Sequence, residues 1–452
     1  MAPALGPGCS CDDTEGTGGG AAAGTGSGSS GSEGGSTGSF TTGTGDGPCV
    51  NLECQQVQCS SGGTTTVSGK VYEPAGKVPL YNVTVYVPNA PLSPIPDGAS
   101  CDQCSAVLSG DPVVTALTDA SGSFVLENVP VGQNIPLVIQ VGKWRREVVL
   151  PAVAECVDNP TTDGSLRLPR NQSEGHIPKI ALATGGADPL ECWLRKIGLD
   201  DAEFTDPSES GRVNLFAGAG GTSRYAGGAD FPDAQDLWAT VDSLKAYDVV
   251  LMACEGGQNI DAKPMPSRQA VQDYANLGGR LFFSHWHNVW LEQGPGEWPT
   301  IATWDFQNDP PEPYTGVIDQ TFPKGQALAS WLLNVMGSTV LGELPISAPQ
   351  HTLTNVNAAA GVQQWIYGQA PDSGSVKYFT FNAPLSAPDD QLCGRVVFSD
   401  IHVSSTDQVD SPFPDGCQTA DLSPQEKALL FMLFDLSACI IPDDDPPVPP
   451  PQ

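Results

Sequence analysis

Between residues 176 and 440 the same unit recurs: a short run of consecutive apolar residues, then a turn, then a helix-patterned segment. The runs lie in "KIALATGG", "GRVNLFAG", "DVVLMAC", "GRLFFSH" and "GRVVFSDIHV". A strand that reads apolar at every position, without alternation, is buried on both faces. Strands of that kind alternating with helices predict a doubly wound, flavodoxin-like parallel sheet. The helices are expected over "DPLECWLRKIG", with Asp188 as N-cap and Pro189 in the first turn, "DAQDLWATVDSLKAY", "SRQAVQDYANLG" ending at Gly278, and "PKGQALASWLLNVMG". A last helix opens with a capping box, Ser423-Pro424-Gln425-Glu426. "SVKYFTFNAP" reads as a further strand.

Residues 64–157 have a different period. "TVSGKVYEP" and "NVTVYVPNA" alternate apolar and polar residues, and "VVTALTDASGSFVLENVPVG" places two strands around Asp119-Ala120-Ser121-Gly122. Another pair surrounds Gly142-Lys143. Short, closely spaced strands of this kind predict a β-sandwich. With its adjoining T-D-x-x-G-x-F and N-V-P-x-G turns, the stretch resembles the carboxypeptidase regulatory-like domain, a transthyretin-like sandwich. That resemblance implies a non-catalytic accessory module. The chain is therefore expected to be multidomain. Residues 1–47 read as a disordered Gly/Ser/Thr linker, 48–63 as a cysteine-rich connector, 64–157 as the sandwich, 176–441 as the α/β domain and 442–452 as an acidic, proline-rich tail.

Charge and cysteine usage bound the function. Asp and Glu number 52 against 20 Lys and Arg, a formal charge of −32. So acidic a surface repels phosphate backbones and anionic headgroups, which argues against nucleic-acid partners and electrostatic membrane docking. Thirteen cysteines, mostly without metal-type spacing, read as disulfides formed in an oxidising compartment. The C-x-x-C of Cys101 and Cys104 lacks the second pair that a zinc site needs and reads as a stapled surface loop. The odd total leaves at least one thiol unpaired. "MAPALGPGCSCDD" has no apolar signal core, but Cys9 among small residues before a Gly/Ser tether resembles the lipid-bearing cysteine of a bacterial lipoprotein. Lipidation there would leave twelve cysteines free to pair evenly. No stretch reaches the ~18 apolar residues of a transmembrane helix. The expected location is extracellular or the bacterial cell envelope.

In an open α/β sheet, ligands bind beyond the carboxyl ends of the strands. Four such ends carry Thr184-Gly185-Gly186, Cys254-Glu255-Gly256-Gly257, Ser284-His285-Trp286-His287 and Asp400-Ile401-His402. "YDVVLMACEGG", "NLGGRLFFSHWH" and "GRVVFSDIH" resemble the class I glutamine amidotransferase-like superfamily, especially its ThuA-like branch. In that superfamily the fourth strand ends in a G-x-C-x-G nucleophile elbow; here it ends in F-S-H-W-H. The glutaminase thiol is missing, so no glutaminase is expected. His402 falls near the superfamily's catalytic histidine, but Ser404 stands where its acid would be. "GAGGTSRYAGG" (218–228) lacks the Lys-Ser/Thr of a phosphate loop and reads as a flexible loop.

Three readings of the strand-end residues stay open. The imidazoles could be structural, hydrogen-bonded beneath Trp286 and Trp290. They could hold a divalent metal such as zinc, with His285 and His287 on one face of a continuing strand and His402, Asp400 or Glu255 completing the set. Or Cys254 could be a nucleophile with His285 or His402 as its base. Glu255, Trp286, Trp290 and Asp400 are the expected ligand contacts. Trp290, Trp298 and Trp304 are expected at a ligand rim, and Trp331 and Trp365 in the core. The leading expectation is an exported, surface-tethered binding protein for a glycan or cell-envelope component. The alternative is a metal- or thiol-dependent envelope hydrolase acting on glycans or peptides.

Overall fold

The computed structural model describes residues 49–60, 62–104, 106–403, 407, 409 and 411–450. The linker and Cys9 lie outside them. The alternating region forms seven strands: β1 (Thr66–Lys70), β2 (Thr84–Pro88), β3 (Pro112–Leu117), β4 (Ser123–Glu127), β5 (Gly132–Val141), β6 (Trp144–Val153) and β7 (Asp158–Pro160). They make two sheets, β4-β1-β7 and β3-β2-β5-β6. All pairs are antiparallel except β1 with β7. Alternation turns Val67, Phe124 and Leu126 of one sheet and Val85, Leu137 and Ile139 of the other into a shared core. The turn before β4 closes because the Asp119 carboxylate accepts the Ser121 and Ser123 N–H groups, at 2.7 and 3.0 Å, while Gly122 takes a φ of +75°.

The second region runs β8 (Ile180–Ala183), α1 (Leu190–Lys196), β9 (Phe204–Thr205), β10 (Val213–Phe216), α2 (Ala234–Trp238), α3 (Val241–Leu244), β11 (Val249–Met252), α4 (Met265–Asn276), β12 (Arg280–Ser284) and α5 (Val289–Glu292). It continues through β13 (Ala302–Trp304), β14 (Tyr314–Ile318), α6 (Pro323–Asn334), β15 (Glu343–Ile346), β16 (Leu353–Val356), β17 (Val362–Gly368), β18 (Val376–Ala383), β19 (Gly394–Ser399) and α7 (Pro424–Ser437). Ten strands share one sheet in the order β15-β14-β17-β18-β19-β12-β11-β8-β10-β9. From β9 to β19 every neighbouring pair is parallel. Met252 pairs with both Ala183 and Phe283, and Ser284 with Ser399, so the strand ends align along one edge.

A fully parallel sheet was the expectation, and the structure corrects it. β18, β17, β14 and β15 join antiparallel. The connections β17–β18 and β18–β19 are too short for a crossover, which leaves only hairpin geometry. The segment "DAQDLWATVDSLKAY" is also two helices, because Thr240 caps α3 by accepting the Ser243 N–H at 3.2 Å.

Both faces of the parallel strands are covered, which is why their sequences are apolar throughout. Ile180, Leu182, Val249 and Leu251 pack with α1, α6, α7 and the β-sheet core. Ala181, Ala183, Val250 and Met252 face α2, α3, α4 and α5. One apolar core thus runs from the seven-stranded region into the ten-stranded sheet.

Among the described residues, five disulfides fasten this arrangement: Cys49–Cys54, Cys59–Cys156, Cys101–Cys393, Cys104–Cys439 and Cys192–Cys417. The C-x-x-C loop is bonded not to itself but to β19's leading residue and to the segment after α7. Even pairing of twelve cysteines does not occur, because Cys254 is a buried free thiol. In the acidic, proline-rich tail, Asp443 is buried and accepts from Lys324 at 3.1 Å and Arg395 at 2.6 Å. Such disulfide density is the mark of chains that fold in an oxidising compartment. Among the described residues no helix is long and apolar enough to cross a membrane.

Candidate metal centre at the sheet edge

The loop after β8 can lie flat on the end of β11 because Gly185 has no side chain: a Cβ there would stand 2.3 Å from the Cys254 carbonyl oxygen. The Gly218–Gly221 stretch packs against the same loop, so it serves as close-packed backbone. Asp188, expected as an N-cap, makes no cap hydrogen bond. Its buried carboxylate instead accepts the Ser284 hydroxyl and, at 2.8 Å, the Val403 N–H. It thereby ties the loop after β8 to the end of β12 and to the loop after β19, making one rim. Burial raises its carboxyl above the usual range, partly offset by His402.

Three side chains meet on that rim. β12 ends at Ser284, and His285 takes a φ of +36°, a left-handed conformation that turns the chain into a short 3₁₀ segment, His285–Asn288. The turn points His285 Nδ1 at two partners: Cys254 Sγ at 3.7 Å and His402 Nε2 at 3.0 Å. One ligand atom from each of the three residues lies within 4.8 Å of the others. For metal–nitrogen bonds of ~2.0–2.1 Å and a metal–sulfur bond of ~2.3 Å, tetrahedral edges are ~3.3 Å between nitrogens and ~3.6 Å from sulfur to nitrogen. The two separations at His285 are close to these values, and the third, from Cys254 to His402, is within 4.8 Å. Cys254 and His285 are buried, and His402 is partly exposed.

The charges around the trio favour neutral groups. Burial, followed by His402 and Lys377, pushes His285 down to about 3, so its ring is an unprotonated donor at neutral pH. Burial and the Asp188 carboxylate push the Cys254 thiol up to about 12, although the Trp286 and Gly256 N–H groups face the sulfur. A thiol so shifted is not a ready nucleophile; a cation could deprotonate it. Asp400 stands behind His285, with Oδ1 3.9 Å from Nε2. Its carboxylate is clamped by the Thr352 N–H at 3.0 Å and the Thr352 hydroxyl at 2.6 Å.

The remaining expected site residues divide. His287 does not share a face with His285, because the strand has already ended. Its Nε2 bonds the Ala253 carbonyl at 2.9 Å and its Nδ1 accepts the Trp290 indole N–H at 2.8 Å, so no nitrogen is left for a metal. Trp290 and Trp298 are core residues, not a ligand rim. Trp304 is half-buried against Phe379 and Phe398. Trp331 and Trp365 are in the core as expected. Trp286 does stand at the mouth: its ring lies 4.7 Å from His285 and stacks on the exposed Phe306. Glu255 is committed to structure, gripped by Lys263 at 2.6 Å, Asn259 at 2.9 Å and the Ala219 N–H at 3.3 Å. Its carboxyl sits below the usual range, because burial, which raises it, is outweighed by His287 and Lys263.

Sequence reading missed a neighbouring cluster. His351, Asp372, Lys377, Tyr314 and Ser375 come together where the antiparallel strands meet β19. They are scattered over "YTGVIDQ", "PQHTLTN" and "PDSGSVKY", with no shared motif; only the pairing of β18 with β19 brings them beside Asp400.

No family model matches the chain, and no curated protein matches it. Among solved structures, the chain is similar to a ThuA-like protein from Bacteroides uniformis at 11% identity, over 56% of this chain and 88% of that one, with a TM-score of 0.31. It is similar to a chain of a type II cohesin–X-dockerin complex from Acetivibrio cellulolyticus at 17% identity, over 32% and 78%, with a TM-score of 0.17. A third likeness is to BcpA, the major pilin subunit of Bacillus cereus, at 13% identity over 24% and 30%, with a TM-score of 0.15.

Proposed function

We propose that this is an exported metalloprotein of the cell envelope, holding one divalent cation of the zinc class through Cys254, His285 and His402. The convergence of His285 Nδ1 on Cys254 Sγ and His402 Nε2 carries the reading. Three protein ligands leave a fourth tetrahedral position, which distinguishes ligand-binding and hydrolytic zinc sites from closed structural ones. His402, the most exposed of the three, sets the direction from which a ligand arrives. A cation there would lower the pKa of a bound water and polarise an ester, amide or acetal, so hydrolysis of an envelope glycan or peptide is the matching reaction class. The thiol-nucleophile alternative is disfavoured by the burial and raised pKa of Cys254.

The strand order supports the flavodoxin-like reading of the second region. Taken in chain order, β8, β10, β11, β12 and β19 lie second-first-third-fourth-fifth, with β9 outside β10. The site then falls beyond the strand ends at and beside the switch between β8 and β11, where such sheets bind ligands. The first region serves as a transthyretin-like accessory module, and lipid attachment at Cys9 would tether the whole.

Elemental analysis of the purified protein tests the proposal. About one zinc per chain is expected, lost in C254A and H402A and retained in H287N. Wild-type protein that takes up no divalent cation, even when offered zinc or cobalt in excess, would refute it. It would leave binding of a neutral ligand at the Trp286–Phe306 pair as the better account.

A further inference from the structure

The cluster missed in the sequence has the form of an acid–base device. His351 Nδ1 lies 2.5 Å from Asp372 Oδ1. The other carboxylate oxygen of Asp372 accepts the Tyr314 hydroxyl at 2.6 Å, the Ser375 hydroxyl at 2.8 Å and an ion pair from Lys377 at 3.0 Å. Three groups thus fix one carboxylate, and the carboxylate fixes one imidazole. The far nitrogen, His351 Nε2, is buried and finds no hydrogen-bond partner among the described residues. A buried polar atom left unpaired is destabilising and calls for an explanation such as an absent water, ion or ligand. An imidazole with Nδ1 donated to a carboxylate and Nε2 free is also the arrangement of a general base.

The cluster adjoins the proposed centre by two routes. Thr352, the next residue, holds Asp400 behind His285, and Lys377 accepts the Asp400 N–H at 2.7 Å through its carbonyl. On the outer side, the His351 and Thr352 carbonyls accept the Gln307 and Asp305 N–H groups at 3.1 and 2.9 Å. Phe306, between those residues, stacks on Trp286 beside His285.

We propose that His351, oriented by Asp372, is the proton-exchanging residue of this site, with water or a ligand hydroxyl at the Cys254–His285–His402 centre as its partner. The inference rests on the metal reading given above. His351 Nε2 would take the proton that a bound water releases on becoming hydroxide, and return it to the leaving group when the bond breaks. Nδ1–H stays donated to Asp372, whose negative charge offsets the transient imidazolium.

Two measurements on the full chain test it. Nitrogen-15 NMR of the histidine rings should show His351 as the Nδ1–H tautomer with Nε2 unprotonated; an Nε2–H tautomer would overturn the proposal. In cobalt-loaded protein, the pH inflection of the visible band should shift by about one unit in H351N or D372N, with cobalt content unchanged. An unmoved inflection with full cobalt content would also overturn it, and either variant suffices if the other does not fold. Absence of metal from the wild type would instead refute the metal reading, while the tautomer of His351 could still be read.

Discussion

His285 and His287 are two residues apart and differ in almost every respect that matters chemically. His285 has one nitrogen facing a sulfur and a second imidazole; His287 has both nitrogens spent on Ala253 and Trp290. Burial pushes His287 down to about 3 from an ordinary value near 6.5. Between those values the unfolded chain binds a proton that the folded chain does not. The stability from this residue is therefore complete above pH 6.5 and falls as the pH drops toward 3, by up to about 1.4 kcal/mol per pH unit. H287N removes the titration: whatever it loses at pH 7, it should lose about 2 kcal/mol less than wild type on going to pH 5. Denaturant titrations at the two pH values give the comparison. Parallel losses would mean that His287 already titrates in the fold.

At the scale of elements, α7 shows how a local signal acts at long range. Its capping box is complete: the Ser423 hydroxyl accepts the Glu426 N–H at 3.2 Å and the Glu426 carboxylate accepts the Ser423 N–H at 2.7 Å. S423A should destabilise the protein by about 1 kcal/mol, read from its denaturation midpoint. E426A should lose more, because the same carboxylate pairs with buried Lys196 at 2.9 Å and ties α7 to α1. Equal effects would show that the Lys196 contact adds nothing. The capping box was legible because it depends on four consecutive residues. The N-cap expected at Asp188 was not, because the same carboxylate found stronger partners in Ser284 and the Val403 N–H, remote in the chain.

For the whole molecule, the disulfides carry the long-range order. Cys101–Cys393 and Cys104–Cys439 bind one short loop to segments 292 and 335 residues away. Closing such long loops restricts the unfolded chain most, so the C101S/C393S pair should cost about 2–5 kcal/mol in denaturant unfolding. A full-strength unfolding midpoint in that double variant would show that this bridge adds nothing to what the Cys104–Cys439 bond and the shared apolar core already hold together. The seven-stranded region and the ten-stranded sheet contribute to one core, which residue periodicity, being local, cannot reveal.

Local chemistry was sufficient for several features. Consecutive apolar residues specified doubly covered strands, and alternation specified the two sheets of the first region. The strand ends carrying Cys254, His285 and His402 were identifiable for the same reason: each is written beside its own apolar run. Tertiary structure alone decided that the late strands run antiparallel and that His287 and Trp290 are structural. It alone decided that His351 and Asp372 stand beside Asp400. Those outcomes depend on which distant partner reaches a group first in three dimensions, and a buried hydrogen-bond donor or acceptor takes its partner from wherever the packed backbone places one.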